Sequence, residues 1–199
     1  MSSKLEIANL ALHHIGQKEL TELTAGTSVQ ADAINVIWTP DLEETLRANN
    51  WKFARSIVVL VVVDDDYEPL NWTYGYAYPS SCVIVRKVYS EASTDKKIGE
   101  KFEEIYDPSE TDKVIVTDCA DAYAEFTYNL TDTTLFDSSF VTAFSLRLAS
   151  DLAVNLNGDK EMARGEIIIF NGLIAEAKRM SKLEVFNPRS QTSSYESVR

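Results

Sequence analysis

Asn50-Trp51-Lys52-Phe53-Ala54-Arg55, followed by Ile57-Val58-Val59-Leu60-Val61-Val62-Val63, marks the point where this chain changes its period. Before it, apolar residues recur at helical spacing; after it they alternate or run together as β-branched blocks. An acidic turn, Asp64-Asp65-Asp66, comes next. Trp72, Tyr74, Tyr76 and Tyr78 then fall on one face at period two, with Thr73, Gly75 and Ala77 on the other. Pro79-Ser80-Ser81 reads as a turn, and Cys82 to Tyr89 as a further strand. The run from Ile57 to Val63 is too short for a membrane span and suits a buried strand. The aromatic face lacks the interleaved Arg and Lys of a single-strand nucleic-acid platform, so we expect it to pack on helices. Residues 49–88 are therefore expected to form the seam between a helical body and a β layer. Trp51, Phe53, Trp72, Tyr74, Tyr76, Tyr78 and Pro79 are its structural residues.

Upstream, Ser3-Lys4-Leu5-Glu6 is a capping box. Leu5, Ala8, Leu12 and Ile15 form a stripe, and Gly16 is a C-terminal cap. Gln17 to Gly26 is a connection carrying Leu20 and Leu23. Thr27-Ser28-Val29-Gln30 offers a second capping box, and Ile34, Trp38, Leu42 and Leu46 make one stripe of a long helix. Pro40 lies inside that stripe and removes a helical amide, which predicts a kink or a restart capped by Thr39. The stripe stays in phase across Pro40, which favours the kink.

Downstream, Lys101 to Tyr106, Val114 to Thr117 and Ala122 to Tyr128 are strand candidates, although the last also fits the start of a helix. Helical spacing returns after Asp137, where Ser138 or Ser139 can cap. Phe140, Phe144, Leu148 and Leu152 stack at i, i+4, and Asn157-Gly158 closes that helix. Ala163, Ile167, Phe170, Ile174 and Ala177 form the stripe of a last helix, running to about Leu183. The expected fold is α+β: an antiparallel helical bundle of two N-terminal and two C-terminal helices, an inserted β-rich layer and an extended C-terminal tail. The expected boundaries are 1–54, 55–130, 131–186 and 187–199. No large exposed apolar stripe is evident, so a monomer that assembles only on a partner fits the pattern.

Function is harder to place. Lys and Arg number 19 against 31 Asp and Glu, a net charge of −12 that argues against a surface built to grip nucleic acid. Two cysteines, Cys82 and Cys119, fit neither a disulfide framework nor a zinc motif. His13 and His14 are helix neighbours pointing about 100° apart, poorly placed to share a metal. Asp64-Asp65-Asp66 lacks the alternating ligands and central Gly of a calcium loop. Glu43 with Glu44, Glu103 with Glu104, or Glu6 with Glu19 could serve a glycosidase, but a chain this acidic holds such pairs by chance. There is no phosphate-binding loop and no nucleophile elbow. No cofactor and no catalytic residue is expected. No apolar run long enough for a signal peptide follows Lys4, and synthesis in a host cytoplasm is the default. In the polar tail, Phe186, Asn187, Pro188, Arg189, Tyr195 and Arg199 are the candidates for partner binding.

Four blocks in order carry a resemblance. They are Asn9-Leu10-Ala11-Leu12-His13-His14-Ile15-Gly16, Trp51-Lys52-Phe53-Ala54, Tyr76-Ala77-Tyr78-Pro79-Ser80-Ser81-Cys82 with a strand ending in Arg86, and Phe136-Asp137-Ser138-Ser139-Phe140 running into Leu148 to Ala153. Together the chain resembles the tail tubular protein A family, the head-to-tail adaptors of short-tailed bacteriophages. The resemblance implies a structural virion protein: a ring, commonly of twelve copies, between the portal protein and the distal tail or nozzle protein. Genomic DNA would pass through without sequence-specific binding, and an acidic wall would repel its phosphates. Some members of the family have been credited with peptidoglycan or polysaccharide hydrolysis, which keeps a tail-associated hydrolase as the alternative. Pro40 and the acidic segment Glu91 to Asp121 depart from the family pattern.

Overall fold

Ser3 accepts the Glu6 amide while Glu6 returns a bond to the Ser3 amide, so the first helix starts with both orphan donors satisfied. That helix, α1 (Lys4–His14), buries Ile7, Ala8, Ala11 and Leu12. Gly16 follows it at φ +69°, a conformation few other residues adopt. The computed structural model describes residues 2–64, 69–93, 99–107 and 112–183. The tail candidates Phe186, Asn187, Pro188, Arg189, Tyr195 and Arg199, and also Asp65 and Asp66, lie outside the described residues.

The connection after α1 is held by side-chain amides. Asn9 both donates to and accepts from the Leu20 backbone at 2.9 Å, and Asn35 donates to the Leu23 carbonyl. Helix α2 (Val29–Ala48) is capped by Ser28, one residue later than the Thr27 box would have it, because the Ser28 hydroxyl reaches the Ala31 amide. The helix runs unbroken through Pro40, so there is no restart at Thr39. A 3-10 turn, Lys52–Ala54, then delivers the chain into the sheets.

Among the described residues six strands follow: β1 (Arg55–Val59), β2 (Tyr74–Ala77), β3 (Cys82–Tyr89), β4 (Phe102–Asp107), β5 (Asp112–Thr117) and β6 (Tyr123–Tyr128). The segment open to either reading is thus a strand. The first antiparallel sheet has the order β1-β6-β3, and the second β2-β5-β4. Single bridges join the sheets at both ends. Val62 pairs with Tyr76, supported by bonds from Ala77 to Val61 and from Val63 to Gly75. Val88 pairs with Glu100. Gly99 is required at that second junction, since a Cβ there would sit 2.9 Å from the Val88 carbonyl oxygen.

Two expectations about this region are corrected. The run from Ile57 to Val63 is not a buried strand. β1 is an edge strand, Ile57 and Val59 lie on its outer face at 45% and 60% exposure, and Leu60 alone of that run is buried. The aromatic face packs against the other sheet instead of helices. Tyr76 is buried among Leu60, Val85, Val88, Ile115 and Phe126, and its hydroxyl donates to the Cys119 carbonyl. Tyr74 and Tyr78 flank that small core, while Trp72 precedes the strand, half-buried, and reaches Glu103. Pro79 sits in the turn into β3 and accepts the Cys82 amide. Tyr74, Tyr76 and Tyr78 therefore belong to the sheet-to-sheet core, Trp72 and Pro79 lie in the segments that flank β2, and Trp51 and Phe53 stand at the helical seam. Period two gave the face correctly but could not say what covers it.

Helix α3 (Ser138–Leu152) is preceded by Asp137 at the cap position, displacing Ser138 and Ser139 into the first turn. A π-type turn, Ala153–Asn157, and Gly158 at φ +66° end it. Asp159 caps α4 (Lys160–Leu183) by accepting the Glu161 and Met162 amides. α1, α2 and α4 all pack on α3, which makes it the axis of the large core. The chain is α+β. Among the described residues no helix is long and apolar enough to cross a membrane. On α4, Ile168 and Ile169 stand exposed at 71% and 52%.

Candidate functional site: the helix–sheet seam

A row of aromatic rings forms the helical side of the seam. Phe140, fully buried on α3, meets Trp51, Phe53, Phe136 and Phe144 with ring centroids 4.7–5.8 Å apart, three of the four contacts edge-to-face. Such pairs add about 0.5–1.5 kcal/mol beyond the area they bury. Trp51 is fixed by its indole N–H, which donates to the Thr45 carbonyl in α2. The turn after α2 is thereby pinned to α2 and α3 together, and β1 leaves it in a defined direction.

Arg86, Arg55 and Asn129 form the sheet side, and Arg47 of α2 reaches across to them. Arg86, on β3, sends its guanidinium to the last carbonyls of α2: Leu46 at 3.2 Å, Arg47 at 2.9 Å and Asn49 at 2.8 Å. Its Nε donates to the Thr127 hydroxyl on β6. The last carbonyls of a helix have no partners within it, and a cation there also answers the negative end of the helix dipole. Burial pulls the Arg86 pKa down from its ordinary value. Nη2 reaches all three carbonyls while Nε holds Thr127, two donor positions on one rigid plane that the single ammonium of Lys cannot occupy together. Arg47 returns a bond to the Val83 carbonyl at 2.7 Å. Arg55 pairs with Glu125 at 2.8 Å, where Glu125 is 3% exposed and also receives Asn50. Asn129 at the end of β6 donates to Glu43 on α2.

A second ionic cluster stiffens α2 against α3. Arg147 meets Asp41 at 3.3 Å, Glu44 at 2.9 Å and Asp151 at 2.8 Å. Asp41 is 2% exposed, and its Oδ2 has no hydrogen-bond partner. Burial pushes the Asp41 carboxyl up to about 7; Arg147 opposes that shift, and the Asp151 and Glu44 charges add to it. The folded state then holds a proton that the unfolded chain has already released. Asp41 thus contributes stability that is full below the unfolded value and lost as pH rises through about 7. Wild-type stability to urea should fall, relative to Asp41→Asn, by about 1.4 kcal/mol per pH unit across that window. Parallel profiles for the two proteins from about pH 5 to pH 8 would show Asp41 ionised in the fold throughout.

The carboxylate pairs marked for hydrolysis are taken up in these contacts. Glu43 holds Asn129 and Glu44 holds Arg147. Glu103 accepts from Trp72, while Glu104 accepts from Tyr78 and from the Val85 amide. Glu6 serves the α1 cap. A cavity of about 830 Å³ opens at the far end of the β layer, with Glu91, Glu100, Asp118 and Asp121 on its wall beside Lys101 and Tyr123. Among the described residues no cluster of three His, Cys, Asp or Glu is arranged to hold a metal. His13 and His14 are exposed, and His14 approaches Glu166 at 3.9 Å. Cys82 is half-buried and Cys119 buried, both as free thiols. A comparison with protein-family models returned no match, and no curated protein matched the chain.

Proposed function

We propose that the protein is a non-enzymatic structural adaptor of a short-tailed bacteriophage, forming a ring between the portal and the distal tail. The reading takes the helices as an antiparallel bundle that forms the ring wall and the β layer as the projecting surface that meets the next tail component. The observation that carries it is the seam. Arg86 grips three carbonyls at the end of α2, and Arg47 and Asn129 close the same joint from both sides. A joint that transmits load between two modules needs such fixed geometry, whereas a catalytic site needs reactive groups left free. The four blocks of the resemblance fall on that frame: on α1, on the turn after α2, across β2 and β3, and along α3. The net charge of −12 suits a wall past which DNA slides.

Negative-stain microscopy of the purified protein, alone and mixed with the portal of the same genome, tests the reading. The expected result is an added ring on the distal face of the portal, its symmetry giving the copy number. The same chain truncated after Phe186 should keep its fold and decorate the portal less completely. A folded protein that leaves the portal bare refutes the adaptor, and a cell-wall digestion assay then tests the hydrolase alternative.

A further inference from the structure

The apolar stripe of α4 outlasts the wall that covers it. Ala163, Phe170 and Ile174 are buried in the helical core, and Ala177 is half-buried against it. Met180, the next position of the same stripe, is 44% exposed. A groove of about 380 Å³ opens there between the last turns of α4, the start of α3 and the turn after α2. Trp51, Leu173, Ala177 and Met180 line it, together with the exposed Asp137 and Glu176. One further apolar side chain laid over this surface would remove it from water at a gain.

The segment best placed to supply that side chain is the continuation of the helix itself. Met180 is three residues from Leu183, the last described residue of α4, and residues 184–199 follow. Val185-Phe186 is the only adjacent apolar pair among them, and Phe186 is their first aromatic. Asn187-Pro188 comes directly after it and stops a helix, since Pro has no amide to give and turns the residue before it away from helical angles. Ala177 lies about 9 Å back along the axis from Leu183. Three extended residues span about 10 Å, so the chain from 184 to 186 is long enough to return Phe186 to the middle of the groove. Tyr195 is nine residues further on and would close a longer loop at a greater entropic cost.

We propose that the segment after α4 folds back on its own helix and seats Phe186 in this groove, closing α4 against the turn after α2. The contact does not rest on the adaptor reading, and its test needs no portal.

Thermal unfolding of the full chain reads it. Phe186→Ala should lower the melting temperature by about 4–8 °C, the loss expected for exposing one ring in a chain of this size. Phe186→Leu should lower it by clearly less. Met180→Gln keeps a good helix former and should lower the melt of the wild type, yet should take away little more once Phe186→Ala is present, because side chains in contact do not act independently. The loss from Phe186→Ala should be the same at micromolar and at millimolar protein, as a contact within one chain requires. A melt indifferent to Phe186→Ala overturns the proposal. So do losses from Phe186→Ala and Met180→Gln that simply add, which would put Phe186 elsewhere. A loss that vanishes on dilution also overturns it, since the groove would then be filled by the segment of a neighbouring copy.

Discussion

Phe140→Ala should lower stability by about 3–5 kcal/mol, the largest loss expected of any single substitution in the helical core. The ring is wholly buried on α3 and is shared by Trp51 and Phe53 from the turn after α2, Phe136 from the segment entering α3, and Phe144 one turn on. Removing it takes away transfer free energy and opens a cavity. Its walls cannot easily collapse, because Trp51 is tethered to the Thr45 carbonyl and Phe144 is held edge-on by Trp38 at 4.8 Å. Phe140→Leu keeps most of the volume and should cost clearly less, about 1–2 kcal/mol. Urea unfolding followed by tryptophan fluorescence reads both, and Trp51 itself should report the change. A loss under about 1 kcal/mol for the alanine variant would mean that the ring row is loosely packed.

The order of elements was legible because each obeyed one periodicity over several turns. Phe140, Phe144, Leu148 and Leu152 repeat at i, i+4 and are all buried on α3; the capping box at Ser3 and the Asn157-Gly158 stop are local signals that operate without tertiary help. What the pattern could not carry was the identity of the opposing surface. Ile57 to Val63 has the composition of a buried strand, yet β1 lies at a sheet edge and only one of its faces is covered, a matter of strand order. Tyr76 alternates correctly but is buried against the other sheet, which depends on the bridges at Val62 and Val88.

The seam was half legible for the same reason. Trp51 and Phe53 announce themselves as a conspicuous aromatic pair, whereas Arg86 reads only as a polar end to a strand. Its partners are main-chain carbonyls that have no residue signature. Asp41 and Arg147 did leave a trace. Asp41 sits beside the apolar stripe of α2 between Ile37 and Thr45, and Arg147 precedes Asp151 by one turn. A charge on the core side of one helix asks for an opposite charge on its neighbour, and that search would have joined them.

Arg86→Leu should cost about 3 kcal/mol and, more tellingly, should loosen one place in the molecule. The substitution keeps apolar bulk but removes the donors that serve Leu46, Arg47, Asn49 and Thr127. The carbonyls closing α2 would then face β3 without partners, and buried unpaired groups cost about 1–3 kcal/mol each unless water reaches them. Arg86→Lys retains the charge near the negative end of the helix but cannot hold both the carbonyls that Nη2 reaches and the Thr127 hydroxyl that Nε reaches, so it should recover only part of the loss. Hydrogen exchange separates this local effect from a global one. Amides in the last turn of α2 and along β3 should exchange faster, while those of α1, whose cap and contacts with α3 are untouched, should keep their protection relative to global stability. Uniform acceleration across both cores would mean that Arg86 supports the whole fold and has no special role in the joint. If the local pattern holds, the same variant offers a mechanical test of the adaptor reading: a ring whose β layers swing on a slack seam should bind the portal through its helices yet fail to present an ordered surface to the next tail component.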